Sequence, residues 1–146
     1  MGALVQLLQR GQVGVAIGRG FQCKSGNELD DVAGRYWNEV GQHHAGADTT
    51  WRDIDRLIGY FGATKLLSEI SDDDVARLVA WRRGHRVTRH GKGLKKADAA
   101  PLIAPATVNR STTEVLKKLF TRAKAWGIRF EHEPDWQKHI LREPQE

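Results

Sequence analysis

Leu102-Ile103-Ala104-Pro105-Ala106-Thr107-Val108-Asn109-Arg110 runs directly into Ser111-Thr112-Thr113-Glu114-Val115-Leu116-Lys117-Lys118-Leu119-Phe120-Thr121-Arg122-Ala123-Lys124-Ala125-Trp126-Gly127-Ile128. The stretch is marked as an amphipathic helix at its ends and along its length. Pro105 suits a first turn, where the N–H it lacks has no helical partner anyway. Ala104 is then a poor cap, and Thr107 is placed to help from inside the first turn. Val108, Thr112, Val115, Leu116, Leu119, Ala123 and Trp126 recur at the three-then-four spacing of one apolar face, and Phe120 widens it. Gly127 is a natural stop, because glycine takes the left-handed conformation cheaply. Arg110, Lys117, Lys118, Arg122 and Lys124 fall mostly off the apolar stripe, with Glu114 alone opposing them. Such a face is either solvated or set against a polyanion.

Upstream, the helical pattern fails from Gly84 to Ala100. The run Arg82-Arg83-Gly84-His85-Arg86-Val87-Thr88-Arg89-His90-Gly91-Lys92-Gly93-Leu94-Lys95-Lys96 is basic, contains glycine and is poor in apolar residues. It reads as an exposed loop that is mobile without a partner. Three further helices precede it. The first is expected from about Asn27 to His44, with Leu29, Val32, Ala33, Tyr36, Trp37 and Val40 as its stripe and Glu28, Asp30 and Asp31 favoured by the dipole at its start. The second is expected from Thr49 or Thr50 to Tyr60, burying Trp51, Ile54, Leu57, Ile58 and Phe61, and closed by Gly62. The link Ala63 to Ile70 brings Leu66, Leu67 and Ile70 to the core. The third starts at Ser71-Asp72-Asp73-Asp74, which resembles a capping box with Ser71 as cap. Val75, Leu78, Val79 and Trp81 are expected inside; Arg77, Arg82 and Arg83 are expected outside or at the end. After the fourth helix, Phe130 and Trp136 are expected to tuck back, and Trp136 to Leu141 to make a short helical turn.

Composition sets the outer limits. The 146 residues, 40% hydrophobic with five tryptophans, fit one domain whose core leans on large rings. A net charge of +5 and a pI near 9.6 favour a polyanionic partner, most simply nucleic acid. Between Arg77 and Lys96 every charged side chain is Lys or Arg. Cys23 is the only cysteine, so neither an internal disulfide nor a cysteine-rich metal site is available, and a reducing cytoplasmic setting follows. No apolar run is long enough to span a bilayer, and Met1 to Gly20 makes a poor signal peptide. Residues 1–26 read as a flexible leader; Gly14-Val15-Ala16-Ile17-Gly18-Arg19-Gly20 lacks the strand, the Lys-Ser/Thr ending and the following helix of a nucleotide loop. His43, His44, His85, His90, His132 and His139 show no strong ligand spacing and read as surface or structural residues, so no metal or other cofactor is expected. Their tryptophan counterparts, Trp37, Trp51, Trp81, Trp126 and Trp136, sit on helical stripes and read first as core.

Four helices, a basic loop before the last, Thr107-Val108-Asn109-Arg110 opening that last helix and Phe120-Thr121-Arg122-Ala123-Lys124-Ala125-Trp126-Gly127-Ile128 ending it resemble the core-binding (SAM-like) domain of tyrosine recombinases, the phage-integrase family. Trp51 to Phe61, Leu66-Leu67-Ser68-Glu69-Ile70 and Asp74-Val75 to Trp81-Arg82-Arg83 extend the likeness over about Leu29 to Glu143. The resemblance implies an all-α, compact four-helix bundle over residues 27–143 that clamps double-stranded DNA. It also implies that a second, catalytic domain is absent, since the chain stops at Glu146. Tyr36 and Tyr60 lie within bundle helices, without the arginine cradle a nucleophilic tyrosine needs. The chain is therefore expected to bind DNA in integration and site-specific recombination without cutting it, and to take no small-molecule substrate. An alternative is a helical module that docks onto a full-length recombinase.

The candidate DNA-contacting residues are Arg82, Arg83, Arg86, Arg89, Lys92, Lys95 and Lys96 of the basic run, Thr107, Asn109 and Arg110 at the helix start, and Lys117, Lys118 and Arg122 along it. Arginine can grip phosphate oxygens with two parallel hydrogen bonds and lysine adds point charge, contacts that position a protein without reading sequence. Asn109 and Arg110 have side chains that can read base edges if the helix end enters a major groove. The competing reading leaves Thr107 as a cap and the rest solvated.

Overall fold

The computed structural model of the chain describes residues 27–87 and 100–144. Among these the backbone forms five helices and no strand. α1 spans Leu29–Glu39, α2 Ala47–Phe61 and α3 Asp72–Arg83. α4 begins as Pro105–Val108, widens into a π turn over Asn109–Thr113 and continues as Glu114–Ala125. A single turn, α5, covers Trp136–His139. The all-α expectation holds, and α1 to α4 are the four helices read from the sequence. The leader read at residues 1–26 and the middle of the basic loop, residues 88–99, lie outside the described residues. Among the described residues no helix is long and apolar enough to cross a membrane.

Each helix end has an identifiable cause. α1 has no side-chain cap. Instead, the Leu29 and Asp30 N–H groups donate to the carbonyls of Lys65 and Ala63 at 2.8 and 3.0 Å, so the Ala63–Ile70 link satisfies donors that a helix start leaves open. α1 also stops earlier than expected. Val40 leaves the helical region, and a 3₁₀ turn over Gly41–His43 replaces the last turn. Gly41 suits the close approach there: a Cβ would stand 3.0 Å from the Trp37 ring and 3.3 Å from the Thr50 methyl, tight enough that these side chains would have to shift. This close approach seats Trp37 edge-on against Trp51, with centroids 5.4 Å apart. α3 carries the expected capping box, with Asp74 N–H donating to Ser71 Oγ at 3.2 Å and Ser71 N–H donating to Asp74 Oδ2 at 3.0 Å. α4 ends in paired bonds from Gly127 N–H to Lys124 O and from Ile128 N–H to Ala123 O, with Gly127 at φ +96°. That is the glycine stop its position suggested.

The buried face of α4 is the centre of the core. Leu116, Leu119, Phe120 and Ala123 have no exposed surface. They share one cluster with Leu29, Val32 and Ala33 of α1, Ile54 and Leu57 of α2, and Val75 and Leu78 of α3. The chain beyond Gly127 folds back as the two aromatic residues suggested. Phe130 and Trp136 pack on Phe120 at centroid distances of 4.8 and 5.2 Å. The returning segment is held by α3: Asp72 Oδ1 accepts from Asp135 N–H at 2.8 Å and lies 2.8 Å from His139 Nε2. Trp81, expected inside, is 39% exposed and lies against Tyr60 and His85.

Because Phe120 is wholly buried and packs against Phe130 and Trp136 of the returning segment, Phe120→Ala is expected to destabilise the fold by about 3–5 kcal/mol. Urea denaturation checks this, and an unchanged midpoint would contradict the assigned core.

Candidate nucleic-acid interface

The two ends of the basic run are pinned together where α3 hands over to α4. Val87 N–H donates to Pro101 O at 2.9 Å and Ile103 N–H to His85 O at 3.0 Å. An isolated antiparallel bridge between Arg86 and Leu102 sits between these bonds. The described residues on either side of 88–99 are therefore held together beside the start of α4. Arg86 lies on this neck, exposed, with one guanidinium nitrogen donating to Ala100 O at 2.6 Å. Arg83, at the end of α3, is exposed as well. Arg89, Lys92, Lys95 and Lys96 fall outside the described residues.

Two candidates are buried. Arg82 does not face solvent; it is 8% exposed. Its position follows from period: Val75, Leu78, Val79 and Arg82 occupy i, i+3, i+4 and i+7 of one helix face. Its Nη2 donates to Ser111 Oγ in the π turn at 3.5 Å, and its Nε is buried without a partner among the described residues. Asn109 is 2% exposed and holds the chain's end. Its Nδ2 donates to Leu141 O at 2.9 Å while its Oδ1 accepts from Leu141 N–H at 2.8 Å. Its Nδ2 also donates to Glu143 Oε1 at 3.4 Å, and an amide so engaged and so deeply buried is not presented to a base edge.

The other residues of α4 keep the outward positions expected of them. Thr107, Arg110, Lys117 and Lys118 are exposed and Arg122 is half-buried. Ala104 caps without a side-chain bond; Thr107 supplies its carbonyl to Ser111 Oγ at 2.6 Å. The cations lean toward two flanks. On one flank Lys124 pairs with Glu133 at 2.6 Å, and the charge of Lys117 also acts on Glu133. On the other, Lys118 acts on Asp53 of α2, and Arg122 acts on Tyr36 and Glu39 of α1.

This second flank contains an ionic group that sequence reasoning missed. Asp53 is buried at 8% exposure and takes Arg56 Nη1 at 3.0 Å. Burial pushes its carboxyl above the usual range, against the pull of Arg56, Arg82 and Lys118. Burial likewise lowers the Arg82 guanidinium, and the like charge of Arg56 adds to this while Asp53 opposes it. Arg56 alone is bonded to this carboxylate; Arg82 and Lys118 act on it through their charge.

Ion pairing separates the cations of this region from those elsewhere. Arg35, Lys65, Arg77, Lys124 and Lys138 each have a carboxylate within 4.0 Å. Among the described residues, Arg83, Arg86, Arg110, Lys117, Lys118 and Arg122 form no such pair; Arg52, Arg129 and Arg142 share that property on other elements. The histidines behave structurally where they bond: His44 lies 3.0 Å from Thr50 Oγ1 and His85 Nδ1 lies 3.1 Å from Arg82 O. Glu28, Asp30 and Asp31 bring carboxylate oxygens within 4.8 Å of one another at the start of α1, where the dipole favours negative charge.

Comparison of the chain with models of known protein families, with curated proteins and with solved structures finds no match. The recombinase likeness accordingly rests on the residues and their order.

Asn109→Ala leaves the Leu141 N–H and carbonyl unsatisfied and is expected to cost about 1–3 kcal/mol. Amide exchange should speed up at Leu141, while duplex affinity of the folded variant stays within about threefold, the usual reach of an indirect contact. A large loss of affinity with Leu141 still protected would return Asn109 to the contact surface.

Proposed function

We propose that this chain is a double-stranded DNA-binding domain of the tyrosine-recombinase core-binding kind, acting in DNA integration and site-specific recombination. The observation that carries this reading is the set of unpaired cations around the loop neck and the outward strip of α4: Arg83, Arg86, Arg110, Lys117 and Lys118. Surface cations that only solubilise a protein tend to be interspersed with acids. Among the described residues these five have no carboxylate within 4.0 Å, while the rest of the described bundle pairs most of its own cations. A duplex presents a regular array of phosphates, and cations along the exposed strip of a helix are the kind of group that contacts such an array and positions a protein on it. Arg89, Lys92, Lys95 and Lys96 add charge in the sequence between the two sides of this neck. Docking is then electrostatic first, with Arg110 the remaining candidate at the α4 start for reading a base edge, since Asn109 is engaged within the protein.

A second reading has its own observation. Trp81 and Leu102 are the large hydrophobic side chains most exposed among the described residues, at 39% and 53%, and both belong to the loop neck. They favour a helical module that docks on another protein, such as a full-length recombinase. Salt sensitivity separates the two, because apolar docking gains nothing from counterion release.

Fluorescence anisotropy with a labelled duplex is expected to show affinity falling by about a hundredfold or more between about 50 and 200 mM salt. Neutralising Arg83, Arg86, Arg110, Lys117 and Lys118 together should nearly abolish binding, while neutralising Arg35 and Arg77 leaves it largely intact. Affinity that ignores salt and survives the fivefold change contradicts the proposal.

A further inference from the structure

The outward strip of α4 carries one group that phosphate binding does not use. Thr107, Arg110, Glu114, Lys117, Lys118 and Thr121 are exposed, while Val108, Thr112, Leu116 and Leu119 on the opposite side are buried. The six exposed residues recur at i, i+3, i+7, i+10, i+11 and i+14, which makes them one helical stripe. Glu114 stands in the middle of that stripe and is its only acid. It is spaced to support the helix by pairing with Lys117 and Lys118, three and four residues on. Neither pair forms: among the described residues no cation lies within 4.0 Å of Glu114. An unpaired carboxylate there is repelled by an array of phosphates, so it weakens indiscriminate binding. It accepts hydrogen bonds and donates none. In the major groove, which admits an α-helix, the donor that a glutamate takes is N4 of cytosine. Arg110, on the same stripe, has the complementary chemistry, a donor fork that fits guanine O6 and N7. The two side chains leave the helix about one turn apart, roughly 5–6 Å between Cβ atoms, which spans one or two base steps of about 3.4 Å.

We propose that Glu114 is a sequence-specificity determinant: it accepts from N4 of a cytosine in the major groove, one or two base pairs from a guanine held by Arg110. The assignment rests on the duplex-binding reading. Thymine at the same place presents O4, an acceptor, and leaves the carboxylate desolvated without a donor. Lys117 and Lys118, further along the stripe, hold the helix to the backbone phosphates whatever the sequence. Glu114 turns part of that uniform attraction into discrimination, because its charge is compensated only where a base supplies the hydrogen bond.

The test enriches duplexes bound by the full chain from a random-sequence library, with the wild type, Glu114→Gln and Glu114→Ala compared at one salt concentration. Glu114 is exposed, so both variants are expected to keep the wild-type urea midpoint. The wild type should enrich a cytosine one or two base pairs from a guanine. Glu114→Gln should move that cytosine position to adenine, whose N6 and N7 pair with an amide, and leave the guanine in place. Glu114→Ala should leave the position degenerate. On the enriched duplex, changing the C·G pair to T·A should weaken the wild type by about tenfold or more and Glu114→Ala by less than about threefold. An unrelated duplex should bind both variants at least as tightly as the wild type, since a repulsive charge has been removed. A motif unchanged in both variants, or wild-type duplex binding with no base preference, overturns the role of Glu114 and keeps the duplex reading. Equal loss of affinity for every sequence in both variants makes Glu114 a structural residue and overturns its role as well. A wild type that retains no duplex at low salt overturns both.

Discussion

Burial of one face of α4 is the constraint on which the rest of the molecule depends. Leu116, Leu119, Phe120 and Ala123 are wholly enclosed by α1, α2, α3 and the returning segment. A helix fixed on one side has no freedom about its own axis, so the opposite strip is fixed too. Arg110, Lys117 and Lys118 are outward because Phe120 is inward. The same burial sets the loop neck, because α4 starts where the Arg86–Leu102 bridge brings the chain back to the end of α3. The position of the unpaired charge is thus a consequence of apolar packing and needs no separate mechanism.

Most of the scaffold was legible from spacing and punctuation. Ser71 and Asp74, Gly62, Pro105 and Gly127 mark ends that the backbone adopts. Residue type and period pull apart at the end of α3. Apolarity points Trp81 inward and charge points Arg82 outward or to the helix end; Arg82 does lie in the last turn, but the i, i+3, i+4, i+7 series from Val75 buries it and leaves Trp81 on the rim. Asn109 fits the same logic, lying one residue after buried Val108 and three before buried Thr112. The π turn over Asn109–Thr113 had no signature in spacing: the apolar series continues through it at the ordinary interval, and the extra residue is absorbed by burying two threonines. The cap of α1 was also illegible, since it comes from carbonyls more than thirty residues away in sequence, at Ala63 and Lys65.

The charge pattern divides by consequence. Pairs such as Arg35–Glu39 and Arg77–Asp73 join residues one turn apart on an exposed helix, where an ion pair contributes little beyond local helix support. Arg35 also lies 4.2 Å over the Trp126 ring, whose Nε1 donates to Glu39 Oε1, so this pair closes α1 on the end of α4. The group around Asp53 is different in kind. It is partly buried and carries more positive than negative charge at the junction of α2, α3 and the π turn. A fold selected only for stability would place an apolar side chain where Arg82 stands.

The central claim is that packing of α4 directs unpaired cations to one duplex-facing region. Residue-resolved amide shifts of the full chain titrated with a short duplex at low salt test it most directly. The account predicts perturbations confined to Arg83–Val87, the start of α4 and the outward strip holding Lys117 and Lys118, with the Arg35 and Arg77 surfaces silent. Perturbations spread evenly over the bundle, or concentrated on the paired surfaces of α1 and α3, would contradict it.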